Sequence, residues 1–162
     1  MTEFEYNQCV TLYADNVFRF IMKNIGHEAD ARDIVQSAFE KMWRNKQHVI
    51  TEKSKSYLFT VAYHQMIDHI RQSKKANTTD DYDQVAISTT QSNHELKQVL
   101  LHAINQLNPT QKSLVLLKDY EGYSYQEIGE ITQLSESQVK VYLHRARLIL
   151  KSKLSQFEKA NA

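Results

Sequence analysis

Residues 123–147, YSYQEIGEITQLSESQVKVYLHRAR, carry two helix-start signals eleven residues apart. Ser124 stands three before Glu127, and Ser135 three before Gln138. Each pair can close a capping box, in which the hydroxyl accepts an orphan N–H and the longer side chain reaches back to the cap. Thr132 to Leu134, between them, has the length of the tight turn in a helix-turn-helix. In the second helix Val139, Leu143, Ala146, Leu150 and Leu154 recur at spacings of three and four, which predicts one buried stripe. Ser137, Lys140, Val141, His144, Arg145, Arg147 and Lys151 take the other side. From Ser135 to Leu154 five basic residues face the single acid Glu136, a local excess of +4. A lone charged helix face is ordinarily just solvated surface. A basic helix presented by a capped partner across a tight turn is instead a common way to reach base edges in a major groove.

Outward from this run the chain reads as helix after helix. Upstream, Asn108-Pro109 is a cap followed by a first helical residue, opening a helix to about Tyr120 that Gly122 ends. Before it, Leu96, Val99, Leu100, Ala103, Ile104 and Leu107 mark another amphipathic helix. From Ala76 to Asn93 the composition turns to Asn, Thr, Ser, Asp and Gln, with Asp80, Asp81 and Asp83 its only charges. This stretch reads as a flexible linker. Three helices are expected in front of it. The first runs from Phe4 to Asn24, stopped by Gly26. The second starts near Asp30 as its cap, continues to about Asn45, and holds Phe39 and Trp43 in the core. The third runs from Ser56 to Lys75, with Leu58, Phe59, Ala62, Met66 and Ile70 inward and Thr60, His64, Asp68, Arg71 and Lys75 outward. Lys46 to Lys55 reads as a loop with a short helical piece.

Bulk properties narrow the function classes. The 162 residues suit one domain or two small ones, and 41% hydrophobic with 24% charged residues is ordinary for a soluble globular protein. Only 3 Gly and 1 Pro leave few tight turns and no Gly-rich phosphate loop, so the expected class is all-α. No apolar run reaches the roughly eighteen residues of a membrane span, and Met-Thr-Glu-Phe-Glu lacks the basic start of a secretion signal. Cys9 is alone, which suits a reducing cytoplasm. With a formal net charge of +1, affinity for nucleic acid must come from local clusters. His27, His48, His64, His69, His94, His102 and His144 form no metal-ligand spacing with an acid. No catalytic residue, metal, cofactor or small-molecule substrate is expected.

Two all-helical modules joined by a polar tether, the second ending in a helix-turn-helix, resemble the extracytoplasmic-function sigma factors of bacterial RNA polymerase. Residues 30–44, DARDIVQSAFEKMWR, are similar to that family's polymerase-binding helix. Residues 57–71, YLFTVAYHQMIDHIR, are similar to its −10 helix, while residues 107–112, LNPTQK, and 139–147, VKVYLHRAR, resemble its second domain. The order and spacing of these runs make the likeness specific, and it spans nearly everything but the linker. The resemblance implies a sigma domain 2 over residues 1–76, a linker over 77–94 and a sigma domain 4 over 95–156. It further implies an alternative sigma factor with three partners: the core polymerase, through its β′ clamp helices and β flap; promoter DNA; and an anti-sigma factor.

The resemblance puts polymerase binding on the second helix, where Asp33, Gln36, Ser37 and Glu40 lie on the polar side. It gives the loop Lys46 to Lys55 the base pocket, with Lys53, Lys55, His64, Arg71, Lys74 and Lys75 as −10 contacts. Opened DNA needs bases held out of the stack and cations on its backbone. For −35 recognition it points to Ser137, Gln138, Lys140, Val141, His144, Arg145 and Arg147, with Ser124 and Tyr125 at a helix start able to hold a phosphate. The chain departs from the family pattern in Thr60 and His64, where Arg and Asn are usual. It departs again in Gln133, where Gly is common, and in Gly129, where Ala is usual. If the turn takes positive φ, Gln133 costs on the order of 1 kcal/mol. Gly129 costs the helix about 1 kcal/mol against Ala, while allowing the two helices a closer approach. Two other readings fit the same residues: a dimeric regulator that binds an operator without polymerase, and a protein-interaction module that touches no DNA.

Overall fold

A computed structural model describes residues 1–76 and 94–160. All but the last residue of the expected linker therefore lies outside the described residues. The helices are α1 (Glu3–Ile25), α2 (Glu28–Arg44), α3 (Ser54–Ala76), α4 (His94–Gln106), α5 (Pro109–Val115), α6 (Tyr125–Thr132) and α7 (Glu136–Ala160). A 3-10 turn, Thr51–Lys53, precedes α3, and a π-helical turn, Leu116–Tyr120, extends α5. The chain divides into two compact units.

In the first unit α1, α2 and α3 pack mutually. Thr2 and Glu5 close a complete capping box at the start of α1, and Gly26, at φ 68°, ends it in the left-handed conformation that glycine adopts without steric cost. The start of α2 differs from expectation. Its cap is His27, whose ring accepts the Asp30 N–H, so the helix begins three residues earlier than Asp30 as cap would set it. The core joins Val17, Phe20 and Ile21 of α1 to Ala38 and Met42 of α2 and to Leu58, Phe59, Ala62 and Met66 of α3, all buried. The Phe20 and Phe59 rings meet at 5.4 Å between centroids, within the range of favourable aromatic pairs. Cys9 is buried, and its thiol donates to the buried Ser54 hydroxyl at 3.2 Å. Phe39 belongs to this core, whereas Trp43 is 39% exposed. Tyr6 packs on Trp43 edgewise at 4.8 Å and the Lys46 ammonium sits 3.5 Å from its ring centre, so the indole serves as a lid at the surface. Ile70, expected inward, is only half-buried.

In the second unit α4 and α5 each pack on α7. Ala103, Ile104 and Leu107 at the end of α4 are buried, Val99 and Leu100 are half-buried and Leu96 near its start is 52% exposed, so the apolar stripe engages increasingly toward the C-terminus. Asn108 and Gln111 close a reciprocal capping box with Pro109 at the first helical position. Along α7, Val139, Leu143, Ala146 and Leu150 are buried as the spacing predicts, while Leu154, expected in the same stripe, is only half-buried. Among the described residues, no helix is long and apolar enough to cross a membrane.

Candidate functional site

The helix-turn-helix is built as its caps predict. The Ser124 hydroxyl accepts the Glu127 N–H at 3.1 Å at the head of α6. Ser135 and Gln138 complete the reciprocal box at the head of α7, at 3.1 and 2.9 Å. Between them Gln133 takes φ 60°, the one non-glycine residue with positive φ among those described. A β-carbon at Gly129 would stand 2.8 Å from the Leu134 carbonyl oxygen, closer than carbon and oxygen can pack. That approach lets the Leu134 N–H bond to the Gly129 carbonyl at 3.1 Å and draws the turn tight.

With Val139, Leu143 and Ala146 turned inward, α7 presents Ser137, Val141, His144 and Arg145 to solvent. Lys140 is exposed and pairs loosely with Glu136 at 3.4 Å, one turn earlier. Gln138 is exposed, but its carbonyl is engaged by the Ser135 N–H. A bidentate adenine contact uses both the carbonyl and the amide of glutamine, so such a contact would surrender the cap. Arg147 donates to Asp119 at 2.9 Å, across 28 residues. That hydrogen bond raises the guanidinium above its ordinary range, burial lowers it slightly, and the Asp119 charge and the Tyr125 hydroxyl add to the rise. Tyr125 is half-buried, with the Lys118 ammonium 4.4 Å and the Lys140 ammonium 5.5 Å from its ring centre. Lys118 also donates to the Tyr123 carbonyl at 3.2 Å. Neither Lys118 nor Asp119 stands out in sequence. Their pairing with α6 and α7 depends on the π turn, and no periodicity announces a π turn.

In the first unit Asp33, Gln36, Ser37 and Glu40 form one exposed polar face of α2. Gln36 donates to Glu40 at 3.3 Å. Asp33 and Ser37, with Asp30, Ile34, Gln65 and His69, border a shallow depression between α2 and α3. Of the expected −10 cations, Lys53, Arg71, Lys74 and Lys75 are exposed and Lys55 is half-buried. Arg71 lies 3.9 Å from Asp68, and Lys74 and Lys75 occupy the last turn of α3, where the helix dipole favours positive charge. His64 departs from its expected outward place. It is half-buried, and its Nε2 is enclosed with no hydrogen-bond partner among the described residues. The reason lies in the broad apolar face of α3: Phe59, Val61 and Tyr63 are all buried, the Tyr63 ring lies 5.3 Å from the His64 ring, and the polar side is narrower than the sequence spacing suggests.

The chain is similar to known proteins over nearly its whole length. The family profile described as Sigma-70 region 2 matches residues 9–76, and that described as Sigma-70, region 4 matches residues 97–150. The RNA polymerase sigma factor SigV of Bacillus subtilis is 27% identical over 149 residues, covering 91% of this chain and 90% of the relative. The ECF RNA polymerase sigma factor SigM of the same organism is 28% identical over 146 residues, covering 87% and 90%. The sigma factor RpoE of Bartonella quintana, solved in complex with the anti-sigma factor NepR, shares the fold with a TM-score of 0.76 at 24% identity, over 93% of this chain and 96% of that one. Two profiles of one family, in the family's order and falling one on each helical unit, give the identification: the chain belongs to the sigma-70 family, in its extracytoplasmic-function group.

Proposed function

We propose that this alternative sigma factor divides its work between two domains, residues 1–76 and 95–156, tethered by residues 77–94. The exposed face of α2 carrying Asp33, Gln36, Ser37 and Glu40 docks on the β′ clamp helices of core polymerase, and the second domain meets the β flap. Lys53, Lys55, Arg71, Lys74 and Lys75 hold the opened −10 strand by its phosphates. In α7, Arg145 offers a bidentate pair to guanine, Val141 an apolar contact to a thymine methyl, and Ser137, Lys140 and His144 polar contacts along the −35 groove. Gln138 joins them only by leaving its cap. Ser124 and Tyr125, at the head of α6, lie where a backbone phosphate is favoured. The protein performs no chemistry. It positions an enzyme, and it does so in the cytoplasm.

The observation that carries this reading is the solvent-facing row Ser137, Val141, His144 and Arg145, opposite the buried Val139, Leu143 and Ala146 on a helix whose start is locked by a complete capping box. A relative of the same fold was solved bound to an anti-sigma factor, which supports a partner of that kind here. Selection of promoters from randomised DNA by core polymerase, with and without the chain, tests the proposal. A −35 and −10 pair enriched only with the chain present is the expected result, and enrichment of a palindrome without polymerase would overturn it.

A further inference from the structure

Lys140 and Arg147 are seven residues apart on α7 and so lie on nearly the same side of the helix, about a quarter turn from its buried stripe. Ser137, Val141 and His144 point away from that stripe, whereas Lys140 and Arg147 point along its flank, towards Tyr125. Five groups from three elements meet there. Asp119 on the π turn takes the Arg147 guanidinium at 2.9 Å, and Lys118 on the same turn sits 4.4 Å from the Tyr125 ring centre. The second ammonium, Lys140, lies 5.5 Å from that ring. The π turn brings this about. Its wider winding carries the Glu121 N–H back to the Leu116 carbonyl at 3.0 Å, and it lets consecutive residues 118 and 119 both serve the helix-turn-helix.

We propose that Asp119, Arg147, Tyr125 and Lys118 form a brace that fixes the rotation of α7 against α6, making Arg147 a positioning residue for −35 reading rather than a reader of bases or phosphates. The inference rests on the DNA-binding reading of α7 and adds to it the device that aims the helix. Arg147 directs one guanidinium nitrogen to the Asp119 carboxylate of its own chain at 2.9 Å. It sits on the flank of α7 while the row opposite the buried stripe faces outward. Its partners come from the two segments that precede α7. Each pair in the brace is partly exposed and weak by itself, since Asp119 and Arg147 are each 44% exposed at their side chains. Only their joint geometry holds a rotation angle.

A phosphate contact and a brace respond oppositely to the same substitutions. The assay is equilibrium binding of holoenzyme, formed from core polymerase and the full chain, to a promoter selected by the wild-type holoenzyme. It is repeated over a salt series and with single −35 base changes. The brace predicts that Asp119→Asn and Arg147→Gln each weaken binding by about threefold, with the salt slope unchanged. It predicts that the double variant is no weaker than either single one, and that the exchange of charges, Asp119→Arg with Arg147→Asp, recovers part of the loss. Discrimination should fall at every −35 position together. A base or phosphate contact would instead leave Asp119→Asn at wild-type strength. It would confine the Arg147→Gln defect to one base pair, or reduce the salt slope by about one. Either result overturns the brace. Failure of the wild-type holoenzyme to select any promoter would overturn the DNA-binding reading itself, which keeps the two failures apart.

Discussion

Gln133 and Gly129 together explain why the turn of the helix-turn-helix has its shape, and they make opposite predictions. Gln133 occupies φ 60° with a side chain that disfavours it. Gln133→Gly should raise the stability of the second unit by about 0.5 kcal/mol, because relief of left-handed strain exceeds the chain entropy that glycine adds. Gly129→Ala improves helix propensity by about 1 kcal/mol but drives a methyl against the Leu134 carbonyl, so a net loss of about 1 kcal/mol or more is expected. Denaturant melts of both variants check these signs. Lys112 offers a pH test. Burial pushes its ammonium from an ordinary 10.5 down to about 8. The folded state therefore binds fewer protons than the unfolded state between those values, and stability should rise with pH across that window. Lys112→Met should remove that rise, and an unchanged pH profile in the variant would contradict the assignment. At this scale the sequence was legible wherever a residue acts through its neighbours in the chain. The caps Ser124, Ser135 and Asn108 are of that kind, whereas only the family pattern, with glycine common at that place, pointed to a positive φ at Gln133. Asp119 was hidden because its partner lies 28 residues away. His27 was hidden because a histidine ring is an uncommon cap.

Elements were legible where an apolar stripe met a capping signal and less so where the stripe was broad. In α7 the expected inward residues Val139, Leu143, Ala146 and Leu150 are buried against α4 and α5, and Leu154, at the end of the stripe, is only half-buried. In α2 and α3 the helices touch two neighbours each, so the apolar faces widen. Trp43 ends as a lid, Ile70 is half-buried and His64 is drawn inward. The π turn at Leu116–Tyr120 was invisible, since its sequence reads as a plain continuation of α5. Two substitutions test α7 as an element. Leu143→Ala removes a fully packed side chain and should destabilise the second unit by about 2–5 kcal/mol, while the melting of the first unit stays unchanged. Ser135→Ala removes one half of a capping box and should cost about 1 kcal/mol, fraying the very turn that carries Ser137 and Gln138. Differential hydrogen exchange at residues 136–140 would show that fraying, and unaltered protection there would count against the cap.

For the whole molecule, each of the two units carries its own buried core. Residues 78–90 lie outside the described residues, yet a linker of mixed Asn, Thr, Ser and Asp can make the second promoter contact intramolecular once polymerase has aligned the first. Deleting Thr78 to Thr90 should leave both units folded by circular dichroism and abolish transcription, and normal transcript yield from the shortened chain would refute the tether. Class and order of domains were readable because composition changes sharply at residue 76 and periodicity resumes near residue 94. The partners were readable only through the family likeness, since an exposed polar face on α2 does not name what it binds. The most direct test is run-off transcription from a selected promoter by bacterial core polymerase. A transcript should appear only when the chain is added and disappear with a combined charge reversal at Asp33 and Glu40. Failure of the chain to associate with core polymerase, together with protection of a specific duplex by the chain alone, would contradict that expectation.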